Sequence, residues 1–205
     1  FMNSNQLDHT AAVLGDMLTF KQPADAVLSN YFRNHNKLGR QDRHEIAETS
    51  FAAIRHYQKI ATVLRRPHAQ SKKAALTALV LGRGLNISQL KDFLNEEETE
   101  FLAAVKARKS EFLENLNTAS ELPQWLIDQL SSSLNSEEIM QFGQSISHPA
   151  PLDTRVNTLN GKREKILAEL QQEDLTAEAT PYSPWGIRFQ DKISLSKHPR
   201  FSDGT

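Results

Sequence analysis

Two groups of polar side chains in this 205-residue chain could do chemistry on a polyanion. The first is Arg65, Arg66, His68, Lys72 and Lys73, which straddle the end of one predicted helix and the start of the next. A turn there would gather them into one patch, and several cations near a phosphate chain bind it by releasing counterions. A plainer role competes, because cations at a helix C-terminus complement its dipole at roughly tenths of a kcal/mol each. That role suits Arg65 and Arg66, but not Lys72 and Lys73 at a helix start. The second group is Arg155 and Asn157, within Leu152-Asp153-Thr154-Arg155-Val156-Asn157-Thr158-Leu159. Apolar alternation marks this segment as a strand, on which residues two apart share a face. Arg and Asn on an exposed sheet face can bind phosphate, ribose hydroxyls or base edges. A cross-strand ion pair beside a buried Asn amide is an equal reading.

Other chemistries find no support. The chain has no cysteine, which excludes thiolate metal sites, disulfides and cysteine nucleophiles within it. Neither a Gly-rich phosphate loop nor a His-Glu-x-x-His pattern occurs, and the seven histidines are scattered. No metal site is expected from them, and the pair Glu137/Glu138 suits helix capping. Net charge is −1, yet it is segregated: Lys21 to Lys73 holds eleven Lys/Arg against four Asp/Glu, and Asp92 to Glu121 three against eight. A basic block in a neutral protein fits a polyanion footprint, with a solvated helical surface as the plainer alternative. At 39% hydrophobic and 24% charged residues, the composition is that of an ordinary soluble protein. No apolar run approaches the roughly 18 residues of a membrane span. There is no signal-peptide pattern either, so a cytoplasmic chain without a membrane partner is expected. Phe1 stands before Met2, the expected natural start.

The elements that must position these groups follow from periodicity. Residues 6 to about 146 predict helices throughout, with Pro23 at a helix start and Asp42/Glu45 as a capping box. Ile46, Phe51, Ile54, Tyr57, Ile60 and Leu64 keep helical register as far as Arg65, and Pro67 ends that helix. Ser71 to Leu81 is apolar enough for a central, nearly enclosed helix. Asn135 with Glu138 predicts another cap. His148-Pro149-Ala150-Pro151 forbids helix continuation, and beyond it the pattern becomes strand, helix, strand, strand. The reading is an all-α domain over 1–147 and an incomplete α+β domain over 148–205. The turn-like ending Phe201-Ser202-Asp203-Gly204-Thr205 is expected to lead into a further domain.

Several of these stretches resemble one family. Arg155-Val156-Asn157-Thr158-Leu159, the helix beginning Lys162-Arg163, and Pro199-Arg200-Phe201-Ser202-Asp203-Gly204 are similar to the region preceding the catalytic core of Sun/Fmu (RsmB-type) RNA cytosine-C5 methyltransferases. Leu38-Gly39-Arg40-Gln41-Asp42-Arg43 and Leu122-Pro123-Gln124-Trp125-Leu126 resemble the NusB-like helical domain that opens the bacterial members. The resemblance implies a mainly α fold, with a NusB-like bundle followed by a partial α+β, RRM-like segment. It implies ribosomal RNA rather than DNA as partner, and S-adenosylmethionine as cofactor of a Rossmann-like domain beyond these residues. That domain would also hold the catalytic cysteines, so this chain alone is expected to be inactive. Only an RNA-recognition role carries over, onto Arg65, Arg66, Lys72, Lys73, Arg155 and Asn157. The alternative is a stand-alone NusB-like RNA- or protein-binding regulator without enzymatic activity.

Overall fold

Helix α1 (Ser4–Met17) begins with a reciprocal cap: Asn3 and Gln6 each accept the other's backbone N–H at 2.9 Å. It buries Leu7, Thr10, Val13, Leu14 and Met17, spaced three and four apart along one face. Pro23 precedes α2 (Ala24–Asn34), as the sequence predicts. Helix α3 (Arg40–Arg55) starts three residues earlier than its Asp42/Glu45 pattern suggests. Gly39 takes the extended cap position, and Asp42, three residues on, accepts its N–H at 3.2 Å. Nor does α3 run on to Arg65. It breaks at His56, and α4 (Tyr57–Val63) resumes. At the break the Gln58 N–H, which a continuous helix would use internally, donates instead to the Glu121 carboxylate at 3.1 Å.

The computed structural model describes residues 2–148, 150–191, 195 and 198–204. They fall into two compact units, Phe1–Ser147 and His148–Thr205. In the first, α5 (Ser71–Thr77) widens into a π-helical turn at Ala78–Gly82. Residues 74–80 are all buried, as expected of an enclosed helix. Leu7, Leu14, Ile46, Ala53, Leu76 and Leu79 belong to the core around it. Then come α6 (Ile87–Leu90), a 3-10 turn at Lys91–Phe93, and α7 (Glu96–Ala107), capped by Asn95. The three glutamates opening α7 face its positive dipole end. Short helices α8 (Lys109–Glu114), α9 (Leu116–Ser120), α10 (Gln124–Leu130) and α11 (Ser136–Ser147) complete the unit. Leu122, Ile127 and Ile139 form a separate small core with leucines of α9, α10 and the following turn. Asn135 caps α11 as predicted, accepting from Glu137 and Glu138 while Glu138 accepts its N–H.

The second unit holds β1 (Leu152–Arg155), α12 (Arg163–Gln172), β2 (Ala177–Ala179), β3 (Gly186–Phe189) and α13 (Pro199–Ser202). The sheet order is β1-β3-β2, antiparallel at both pairings, with Leu152 opposite Phe189 and Arg155 opposite Gly186. Ile166 and Leu170 of α12 share a core with Val156, Ala177, Ile187 and Phe189. Gly186 is required where β3 begins, because a Cβ there would run into the Thr180 side chain. The mainly helical chain followed by an α+β segment is thus the fold that the periodicity predicts.

Candidate nucleic-acid interface

In the first unit, α4 ends at Val63 and Leu64 turns extended. Arg65 and Arg66 follow, both exposed and outside every ion pair among the described residues. Lys72 and Lys73 sit differently. Lys72 Nζ meets Glu98 Oε1 at 2.7 Å, and Lys73 Nζ meets Glu97 Oε1 at 2.7 Å. Lys73 also lies 5.3 Å over the Phe101 ring. Both lysines therefore bind the start of α7 to α5. Burial pushes the Glu98 carboxyl up, but hydrogen bonds from Lys72 and the Asn95 N–H, with both lysine charges, hold it below the usual carboxylate range. The same pairing of the basic block with the acidic stretch recurs at Glu121. Its buried carboxylate takes Lys59 Nζ at 2.8 Å and His56 Nδ1 at 3.2 Å. Three lysines of the basic block, Lys59, Lys72 and Lys73, are thus paired with glutamates of the acidic stretch.

In the second unit, the outer face of the sheet carries Asp153, Arg155, Glu178 and Arg188. A cross-strand ion pair does form, but Arg188 makes it. Its Nε and one terminal nitrogen reach the two oxygens of Asp153 at 2.8 Å each. The hydrogen bond from Arg188 holds the Asp153 carboxyl below its ordinary range. Arg155 is exposed and joins no ion pair among the described residues. Asn157 does not share the strand face with it, because β1 ends at Arg155. Asn157 opens a turn instead: its Oδ1 accepts the Leu159 N–H at 3.1 Å, and its amide donates to the Gly204 carbonyl at 2.9 Å. An Asn side chain that bonds the backbone two residues on offers an alternative to the ladder, and here it ends the strand.

One aromatic residue outside the predicted set, Tyr182, shares a recess with Arg155. Tyr182 is 99% exposed and, with Arg155, Arg188, Thr180 and Ser183, lines a shallow recess of about 450 Å³. Trp185 is 49% exposed in the same β2–β3 turn. Their signal was the pair of aromatics in Pro181-Tyr182-Ser183-Pro184-Trp185, since prolines hold such a turn out of the core. An available cation beside an exposed aromatic ring suits a single-stranded nucleic acid, whose bases stack while its phosphates are neutralised. Among the described residues there is no cluster of three metal-ligating side chains, and no helix is long and apolar enough to cross a membrane.

Comparison with known proteins agrees with the fold and with the motifs that lie between residues 122 and 196. Residues 122–196 match a family model described as Methyltr_RsmF/B-like, ferredoxin-like domain. Over that segment the chain is similar to RsmF/RsmB-like methyltransferases, the resemblance that its motifs carry. The match takes in α10 and α11, with their separate core, as well as all three strands. No curated protein matches the chain significantly. The crystal structure of PH0851 shares the fold, with a TM-score of 0.60 at 14% identity, and the alignment covers 100% of this chain and 52% of that one. The chain thus spans about half the length of that solved structure's chain.

Proposed function

We propose that this chain is the RNA-recognition region of an S-adenosylmethionine-dependent ribosomal RNA cytosine-C5 methyltransferase. The observation that carries the reading is the match of residues 122–196 to the ferredoxin-like domain of RsmF/RsmB-like methyltransferases. Arg155, outside every ion pair among the described residues and sharing a recess with Tyr182, supports it. Methylating cytosine C5 needs a nucleophile that activates the ring, usually a thiolate, and the chain has no cysteine. The described strands are antiparallel and lack the Gly-rich strand-to-helix turn of a dinucleotide-type cradle, so these residues do not fit the methyl donor. Donor and nucleophile would belong to a domain outside these residues, acting in the cytoplasm. The NusB-like helical unit would track phosphates through Arg65 and Arg66. Lys72 and Lys73 could join only by exchanging their glutamates for phosphate. Arg155 would position the RNA, and Asn157 would shape the turn behind it.

The test is binding of ribosomal RNA, duplex DNA and random single strands across a salt series. Each lost phosphate contact flattens the slope of log affinity against log salt by about one unit. Arg65→Ala with Arg66→Ala should therefore flatten it by about two. Arg155→Ala should weaken folded RNA more than a random single strand. Incubation with labelled S-adenosylmethionine and ribosomal RNA should transfer no methyl group. Absence of RNA binding at low salt, or reproducible methyl transfer, refutes the reading.

A further inference from the structure

We propose that the recess at the turn between α2 and α3 is a binding site for a single unpaired ribonucleotide, a proposal that rests on the RNA-recognition reading above. The recess holds about 420 Å³ and is lined by Asn5, His9, Asn34, His35, Lys37 and Asp42, among others. That volume lies within the roughly 300–1,000 Å³ of small-molecule sites. Two of its lining side chains, His9 and His35, are aromatic and pack with Tyr31 behind them. The His35 ring stacks on Tyr31 with centroids 4.0 Å apart and planes 18° apart. His9 stands edge-on to both, at 5.4 Å and 5.8 Å.

The polar groups are set for a base rather than for a bare ion. His35 Nδ1 lies 2.9 Å from the Tyr31 carbonyl oxygen. A carbonyl can only accept, so Nδ1 carries a proton and Nε2 is the nitrogen left for a ligand. A ribose hydroxyl, which both donates and accepts, can hydrogen-bond it. The side-chain amides of Asn5 and Asn34 are exposed and supply both donors and acceptors, the groups that read base edges. Asp42 is already occupied: its Oδ1 accepts the Gln6 amide at 2.8 Å and its Oδ2 the Gly39 N–H at 3.2 Å. Exposed Lys37 lines the recess, and exposed Arg40 opens the neighbouring α3, both outside the ion pairs of the first unit. They can take a phosphate. Tyr31 covers one face of the His35 ring, so a base would stack on the other; with amides for the base edge and cations for the phosphate, the recess describes one nucleotide.

The experiment is a nuclear magnetic resonance titration of the full chain that follows the His9 and His35 ring signals. The probes are the four ribonucleoside 5′-monophosphates, with inorganic phosphate as control. At least one nucleotide should shift both rings saturably, while phosphate leaves them in place. Lys37→Ala should weaken that binding several-fold. His35→Ala should abolish the saturable His9 shift, and exposed Asn34→Ala should weaken binding while the rest of the spectrum is retained. Rings unmoved by any nucleotide, or moved equally by phosphate, overturn the site. RNA binding by the same samples separates the two readings. RNA bound without any nucleotide shift removes the site alone, whereas nucleotide shifts without RNA binding leave the site and remove its RNA role.

Discussion

Replacing Lys72 by Ala takes the cation from Glu98, a side chain only 9% exposed, and leaves its carboxylate the Asn95 N–H at 3.0 Å. A hydrogen bond to a charged group contributes about 1.5–3 kcal/mol when buried. Lys72 is 44% exposed, so water screens the pair and refills the vacancy, and about 1 kcal/mol is the appropriate figure. In a chain of this size, about 1 kcal/mol lowers Tm by about 2–4 °C. The loss should depend on pH with a definite sign. Glu98 is held below its ordinary 4.5 in the folded chain. Its contribution is therefore present above that ordinary value and is lost as pH falls through the lowered one. Wild type and Lys72→Ala should differ at neutral pH and converge in acid. Urea and thermal melts followed by helical circular dichroism report this, because most of the helix lies in the first unit. An unchanged Tm together with an unchanged acid limb would refute the structural role. If Lys72→Ala instead weakened RNA binding at constant stability, Lys72 would return to the phosphate-tracking set.

Gly143 of α11 faces the backbone of Ser120, and a Cβ would run into that carbonyl oxygen. Gly143→Ala should cost about 1–3 kcal/mol, read as a lower urea midpoint, and an unchanged midpoint would mean that the two helices separate freely. Glu121→Gln keeps the side chain's size but removes the charge that holds Lys59 and His56. It should destabilise the first unit by about 1.5–3 kcal/mol, with protection lost first at the α3–α4 break in hydrogen exchange. Asp153 should titrate below its ordinary 3.8 by carboxyl resonance, and Arg188→Ala should return it to that value. Its contribution is present above 3.8 and fades as pH falls through the lowered value, so an Asp153 midpoint that ignores Arg188 would contradict the pair.

Local physics made most elements legible. The apolar run from Ala74 to Val80 could only be an enclosed helix, and Asn135 with Glu138 is a cap whose partners lie within three residues. The order strand, helix, strand, strand after the prolines was equally readable, because each element's period lies in its own residues. The end of β1 is not legible in the same way, since alternation continues through Asn157 while the Asn157 side chain turns the backbone away. The break between α3 and α4 was beyond local reading altogether: the carboxylate that captures the Gln58 N–H comes from Glu121, 63 residues on. The candidate interface divides in the same way. Which residues are basic, and that they cluster along the chain, is a property of the sequence. Which of them remain available to a phosphate is decided by the fold, because a charge is neutralised by whatever lies a few ångströms away in space. Lys73 and Glu97, 24 residues apart, became partners at 2.7 Å, while Arg65 and Arg66 stayed in solvent.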